Sequence, residues 1–154
     1  MAAALVLSLA LVQGCGTLGS DTAGDSSGTQ RAITVSTLKD GSTRIVVATD
    51  AAFDYGSIVL RPAIAEELLI VAKPHLQETL TISGYTDNVG ASAYNLTLSR
   101  ERARSIANAL IPDGASAERV TVTGYGEGGP RASNETEAGR QLNRRVELLF
   151  KSLD

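Results

Sequence analysis

The sequence predicts an α/β fold (α+β type): a two-layer sandwich in which helices cover one face of a mixed β-sheet. Several short segments alternate polar and apolar residues, as strands with one buried face do. Segments with apolar residues at helical spacing separate them. Strands covered on both faces, as in a doubly wound sheet, are instead apolar throughout. A chain of 154 residues is the size of one such domain.

Five segments are predicted to be strands. Residues 33–37 and 43–48 are rich in β-branched side chains and flank an Asp-Gly turn, which is a strong hairpin signal. Residues 79–83, 120–123 and 145–148 alternate between polar and apolar side chains. The sheet therefore begins with a hairpin and continues with three half-buried strands.

Two helices are predicted between these strands. The first covers residues 61–73, with Pro62 in its first turn and Pro74 directly after its end. The second is predicted to begin at Ser99, a good N-cap residue, and to end at the Pro-Asp-Gly sequence of residues 112–114. Its buried stripe is predicted to consist of Ala103, Ile106, Ala107 and Leu110.

Charge and cysteine content exclude several classes of function. The 14 basic and 17 acidic residues give a formal net charge of −3, so no positive field favours nucleic-acid binding. The single cysteine excludes an internal disulfide framework and a multi-cysteine metal site. We expect neither a metal nor a cofactor, and no nucleic-acid partner.

The first 30 residues are predicted to export and anchor the protein. Residues 2–12 are apolar and uncharged, but are about half the roughly 20 residues that span a membrane, so residues 1–15 are interpreted as a signal peptide. The sequence Val-Gln-Gly-Cys at its end resembles a bacterial lipoprotein box, which predicts a lipid anchor on Cys15. The alternative is an ordinary secretory signal followed by a chance cysteine. Residues 16–30, rich in Gly, Ser, Thr and Asp, are predicted to form a flexible tether.

Opposite charges are predicted to meet where one strand ends. Asp87 lies in the loop at residues 86–90, and Arg102 is placed in the first turn of the following helix, from which it can lean over that loop. A carboxylate and a guanidinium that are close but not bonded only to each other complement a zwitterion such as an amino-acid headgroup. The alternative is a structural salt bridge or a pair of solvated side chains.

Four ordered motifs carry a family resemblance: GYTDNVG at residues 84–90, NLTLSRERA at 95–103, GYGE at 124–127 and NRRVE at 143–147. Together they resemble the signature of the OmpA-like C-terminal domain, shared with the peptidoglycan-associated lipoprotein. The similarity extends over residues 52–150. It implies a domain at residues 31–154 with a βαβαβ core at 46–151, preceded by the hairpin.

The resemblance implies non-covalent binding of peptidoglycan through meso-diaminopimelate of the stem peptide. In the family, the aspartate of the TD motif and the arginine of LSxxRA bind the free amino-acid centre of that residue. A second cation is implied by the first arginine of NRRVE. The corresponding residues here are Asp87, Arg102, Asn95, Arg144, Thr86 and Leu98. The sequence departs from the family at Tyr85, where many members carry histidine.

A lipoprotein with such a domain is expected in the cell outer membrane, with the domain in the periplasm, where it tethers that membrane to the wall. An aspartate directly after the lipidated cysteine is associated with retention in the inner membrane. This chain has Gly16 at that position, which favours the outer membrane. The alternative function is a protein–protein interaction module of the envelope that uses the same surface. Loss of the side chain of Asp87 or Arg102 is expected to abolish binding to peptidoglycan and to leave thermal unfolding nearly unchanged.

The sequence does not favour an enzyme. Residues 124–129 satisfy GxGxxG, but a polar segment follows where a dinucleotide site requires a helix. His75 lacks a matching nucleophile motif and is interpreted as a solvated loop residue. The spacing of Asp54, Asp87 and Asp113 does not indicate a glycosidase pair.

Overall fold

The computed structural model describes residues 31–153. The predicted signal peptide, Cys15 and the predicted tether lie outside the described residues. The elements in chain order are β1 (Ile33–Thr37), β2 (Thr43–Ala48), α1 (Thr49–Ala52), α2 (Pro62–Ala72), β3 (Thr79–Tyr85), α3 (Ser92–Leu110), β4 (Val120–Gly124), α4 (Glu137–Asn143) and β5 (Arg145–Lys151).

The strands form one mixed sheet in the order β1-β2-β5-β3-β4. Only β3 and β4 are parallel, and α3 provides the long connection that a parallel pair requires. The register aligns Ile45 with Leu148, Leu148 with Ile82, and Ile82 with Val122, so one face of the sheet is apolar across four strands. The predicted fold class is confirmed, including the hairpin β1–β2.

The helices α2 and α3 pack on this apolar face. All four residues of the predicted α3 stripe are buried, as are Leu68 and Ala72 of α2. The helix α2 ends before Pro74, as predicted, and a 3₁₀ turn continues over Lys73–His75. None of the helices within residues 31–153 combines the length and the apolar character needed to cross a membrane.

The predicted start of α3 is wrong. The helix begins at Ser92, so Ser99 is not its N-cap and Arg102 lies near its middle instead of in its first turn. The early turns bury polar residues, because Asn95 and Ser99 face loops instead of the apolar sheet. An apolar stripe at helical spacing therefore starts only at Ala103, and the helix appears shorter in the sequence than it is.

Helix α3 packs closely against the ends of β3 and β4, at two glycine positions. A Cβ atom on Gly84 would lie 2.0 Å from the backbone oxygen of Ser99, and one on Gly124 would lie 2.6 Å from the backbone nitrogen of Arg100. The hydroxyl of Ser99 accepts a hydrogen bond from the Gly126 N–H at 2.9 Å. Two glycines and one serine thus fix the helix against the ends of β3 and β4.

The interpretation of His75 as a solvated residue is also wrong. Its side chain is 25% exposed and its Nδ1 lies 2.8 Å from Oε1 of Glu78. The imidazole ring also packs against Phe150, with 5.5 Å between ring centroids. This histidine, the last residue of the 3₁₀ turn, therefore packs against the core at Phe150.

Candidate functional site

An open pocket of about 560 Å³ lies beyond the end of β3. Its walls come from the loop after β3, from the first half of α3, from the segment after α1 and from α4 with its C-cap. All six residues to which the resemblance assigns a role line this one pocket: Thr86, Asp87, Asn95, Leu98, Arg102 and Arg144.

Asp87 is buried at the base of this pocket. Its Oδ1 accepts a hydrogen bond from the Val89 N–H at 3.0 Å, and its Oδ2 accepts one from Nη1 of Arg144 at 2.7 Å. The preceding Thr86 fixes the loop through its N–H, which donates to the Gly126 carbonyl at 2.7 Å, and through its hydroxyl, which donates to the Asp87 carbonyl at 2.9 Å. A carboxylate has about four acceptor positions, so two remain on Asp87.

Arg102 approaches the same pocket from α3. Its Nε donates to the Ser57 carbonyl at 2.9 Å, and its Nη2 lies 3.4 Å from the Asp54 carbonyl. The guanidinium lies 5.3 Å from the centre of the Phe53 ring, at cation–π distance. Within the described residues, Nη1 of Arg102 has no hydrogen-bond partner, and no salt bridge joins Arg102 to Asp87.

The environment of Arg102 is partly desolvated. Burial lowers the pKa of its guanidinium, while the carboxylates of Asp50 and Asp87 act in the opposite direction. Arginine nevertheless stays protonated in proteins, so a positive charge faces the pocket. The opposite charges of residues 87 and 102 therefore line one cavity without neutralising each other directly.

Asn95 and Leu98 complete the wall formed by α3. The amide Nδ2 of Asn95 donates to the Val89 carbonyl at 3.0 Å, and the residue is only 3% exposed. Its amide thus fixes the loop that carries Asp87. Leu98 precedes Arg102 by one helical turn, on the same side of α3, and is half-buried.

Arg144, the C-cap of α4, is surrounded by carboxylates. Its Nε lies 2.9 Å and 3.0 Å from the two oxygens of Asp50, and its Nη1 donates to Asp87 at 2.7 Å. Its Nη2 donates to Asp50 at 2.7 Å and to Glu137 at 2.6 Å. These hydrogen bonds, chiefly those to Asp50, raise the pKa of Arg144 further above its already high ordinary value.

The sequence analysis missed Asp50 and Glu137. Asp50 precedes Arg144 by 94 positions, and no motif links the two. Asn143 was missed as well: it is fully buried and its amide bonds the backbone of Arg131 and Ala132. Its place in the NRRVE motif, next to the buried Arg145, is the only signal that could have indicated it.

Tyr85, the position at which the sequence departs from the family, is not among the described residues that line the pocket. Its ring stacks on Tyr125, with 5.1 Å between centroids, and the Arg145 guanidinium lies 3.9 Å from the centre of the Tyr85 ring. Burial, with the nearby Glu147 carboxylate, raises the pKa of the Tyr85 phenol. The departure therefore changes a packed stack beside the pocket and leaves its walls intact.

The fold and the pocket define a small α/β domain with a charged cleft at one end of its sheet. Comparison with known families gives the same result, since the model that describes the OmpA family matches residues 52–144. The chain belongs to the OmpA family, as the motifs predicted.

Three curated relatives illustrate the similarity. The probable lipoprotein YiaD of Escherichia coli K12 is 38% identical over 123 residues, which are 77% of this chain and 56% of that protein. Outer membrane porin F of Pseudomonas fluorescens is 40% identical over 66% of this chain and 32% of its own length. The peptidoglycan-binding protein ArfA of Mycobacterium bovis is 43% identical over 46% of this chain and 22% of its own. The chain thus spans between a fifth and a little over half of these relatives.

Solved structures share the fold. The cell wall anchor of the T6SS from Pseudomonas aeruginosa superimposes with a TM-score of 0.70 at 26% identity, covering 79% of this chain and 89% of that one. The peptidoglycan-associated lipoprotein from Burkholderia pseudomallei superimposes with a TM-score of 0.55 at 30% identity, covering 65% of this chain and 87% of that one.

Proposed function

We propose that the protein binds peptidoglycan non-covalently, through the free amino-acid centre of meso-diaminopimelate in the stem peptide. One observation carries this proposal: Asp87 and Arg102 line a single open pocket and form no ion pair with each other. ArfA and the Burkholderia lipoprotein are named for binding or association with peptidoglycan, which supports the same ligand.

The chemistry of the pocket suits a zwitterion. An ammonium group can donate to the acceptor positions that remain on Asp87, and a carboxylate can accept from Nη1 and Nη2 of Arg102. Each charge-assisted hydrogen bond contributes about 1.5–3 kcal/mol to binding. The entropy lost when a flexible stem peptide becomes ordered offsets several kcal/mol of this favourable free energy. We expect a dissociation constant of roughly micromolar to millimolar for one site.

Weak single contacts are sufficient for a protein anchored next to a polymer of repeated ligands. We propose a lipid on Cys15 that holds the chain at the outer membrane, with the domain in the periplasm and residues 16–30 as a tether. High effective concentration then converts many reversible contacts into a stable link between membrane and wall. We also propose that the protein acts by binding alone, so incubation with muropeptides should yield no new product.

Co-sedimentation of the purified protein with peptidoglycan sacculi tests the site. Asp87→Asn keeps the shape of the side chain and removes its charge, and Arg102→Lys keeps the charge and removes the fork; both variants should stay in the supernatant. Arg104→Lys, exposed on the same helix, and Asp113→Asn, in an exposed turn, should sediment like the unmodified protein. Free meso-diaminopimelate should compete with the sacculi.

Sedimentation of both Asp87→Asn and Arg102→Lys at the level of the unmodified protein would exclude this site. Capture of an envelope protein that is insensitive to added diaminopimelate, without sedimentation, would favour the interaction module. The contacts of both residues revise the expectation that loss of either side chain leaves thermal unfolding nearly unchanged. Arg102→Ala should lose about 1–3 kcal/mol, because the carbonyls of Ser57 and Asp54 lose a charged donor. Asp87→Asn should also lose stability, because both carboxylate oxygens accept hydrogen bonds and the asparagine NH2 group would face one of the two donors.

A further inference from the structure

We infer that Arg144 is a positioning residue that holds the Asp87 carboxylate, and that Arg102, not Arg144, binds the carboxylate of the ligand. This inference rests on the proposed function and divides the work between two arginines in the same pocket. It differs from the role that the family resemblance implies for Arg144, a second cation for the peptide carboxylates.

The donors of Arg144 are almost fully used. A guanidinium has five N–H groups. The one on Nε points to Asp50, the two on Nη2 are directed to Asp50 and Glu137, and one of the two on Nη1 is directed to Asp87. A single N–H remains, so a ligand carboxylate cannot bind Arg144 through a two-pronged contact without displacing a carboxylate of the protein.

Within the described residues, Arg102 uses fewer of its donors than Arg144 does. Its Nε bonds the Ser57 carbonyl at 2.9 Å, and one N–H of Nη2 is directed to the Asp54 carbonyl at the longer distance of 3.4 Å. Both N–H groups of Nη1 and one of Nη2 remain within the described residues. These are the groups that form parallel hydrogen bonds to a carboxylate. Its two backbone contacts fix the orientation of the plane before a ligand arrives.

Charge balance supports the same division. Three carboxylates, from Asp50, Asp87 and Glu137, surround the Arg144 guanidinium within 2.7 Å, so the cluster carries no excess positive charge for an anion. Arg102 has no salt bridge in the described chain. An anionic group is therefore attracted to Arg102, and an ammonium group to the carboxylate-rich side at Asp87.

Loss of the Arg144 guanidinium should act on Asp87, even when lysine keeps the charge. The Asp87 side chain is only 11% exposed, and its other protein contact is the Val89 N–H. The single nitrogen of a lysine cannot reproduce the planar set of donors that reaches Asp50, Asp87 and Glu137 together, so the Asp87 carboxylate loses its fixed donor and is expected to turn toward water. The ammonium group would then lose its acceptor, while the carboxylate site at Arg102 would stay in place.

Two tripeptides separate the roles. L-Ala–γ-D-Glu–meso-diaminopimelate and L-Ala–γ-D-Glu–L-Lys both carry a side-chain ammonium group, but the lysine peptide lacks the adjacent carboxylate. Their dissociation constants are measured by isothermal titration calorimetry with the unmodified protein, Arg102→Lys, Arg144→Lys and the exposed control Arg104→Lys. An amide NMR spectrum of each variant checks that it is folded.

The unmodified protein and Arg104→Lys should prefer the diaminopimelate peptide by roughly tenfold or more, the factor that one charge-assisted hydrogen bond provides. Arg102→Lys should reduce this ratio toward one. Arg144→Lys should weaken both peptides by a similar factor, again roughly tenfold or more, and keep the ratio. A role in stability alone would not keep the ratio in one variant and remove it in the other.

The inference is wrong if Arg144→Lys removes the preference, or if that folded variant binds both peptides as the unmodified protein does. Equal affinity of the unmodified protein for both peptides would exclude the role of Arg102. If the unmodified protein binds neither peptide, the proposed function itself fails. The peptide preference therefore tests the division of roles, and binding as such tests the function.

Discussion

The apolar face of the sheet and the pocket end both contain buried side chains, but they are built differently. On the apolar face, Ile45, Ile82 and Leu148 are fully buried and contact other apolar side chains. At the pocket end, the buried residues other than Phe53 are polar, and each bonds a specific partner. The first region needs side chains of suitable size, whereas the second needs particular atoms at particular positions.

This difference has energetic consequences. Apolar burial contributes about 25 cal/mol per Å² and does not depend on direction. A buried charge or amide is tolerated only with its hydrogen bonds formed, and the loss of one partner leaves the other unsatisfied. Substitutions in the core should therefore act mainly on the free energy of unfolding. Substitutions at the pocket end should affect local order and ligand binding more than the free energy of unfolding.

The largest effect on stability should follow Leu148→Ala in the centre of β5. Removal of a fully buried leucine leaves a cavity, and the free energy of unfolding should fall by about 2–5 kcal/mol. Urea unfolding followed by circular dichroism measures it. The exposed Leu142→Ala in α4 is the control and should change little. Binding to sacculi at low temperature should persist in Leu148→Ala, and its loss there would contradict the separation of the two regions.

An intermediate effect is expected for Asn143→Ala. The Asn143 amide is fully buried and bonds Arg131, Ala132 and Asn134, so its loss should cost about 1–3 kcal/mol. Amide hydrogen exchange should accelerate mainly at residues 131–134. Asn134→Ala, which removes only one of these bonds, should have a smaller effect. Uniform acceleration over the whole sheet would show that this amide belongs to the core.

The smallest effect should come from Glu137. Hydrogen bonds from Arg144 and Arg140 lower its pKa in the folded protein below the ordinary value of 4.5. Its contribution to stability is therefore present above pH 4.5 and is lost as the pH falls through the lower folded value. Glu137→Gln should lower the thermal midpoint slightly at pH 7, and this difference should vanish once the pH is low enough to protonate Glu137 in the folded protein. Glu67→Gln, on the exposed side of α2, is the control for the removal of a surface carboxylate.

The sequence was sufficient for the apolar region. All five strands and the buried stripe of α3 were predicted, because alternation and helical spacing record which side chains face the core. The helices α1 and α4 were not predicted. They are short, and of their residues only Ala52 belongs to the apolar core, so neither helix has an apolar stripe that a pattern could reveal.

The pocket was predicted only in part. The six residues to which the family motifs assign a role all line the pocket, but neither spacing nor charge content indicated that Arg144 bonds Asp50 and Glu137. The start of α3 was wrong for the same reason, because Asn95 and Ser99 are buried through hydrogen bonds. Hydrogen-bond partners distant in the chain leave no periodic pattern in a sequence.

The close approach of α3 to β3 at Gly84 has an evolutionary consequence. Because the Ser99 carbonyl occupies the space that any side chain at this position would need, every substitution must push the helix outward, and Arg102 moves with it. A comprehensive substitution library should therefore score this glycine as one of the least tolerant sites for wall binding, although it is not among the described residues that line the pocket. Tolerance at this one position, which lacks a Cβ atom, would thus report how accurately the whole helix must be positioned.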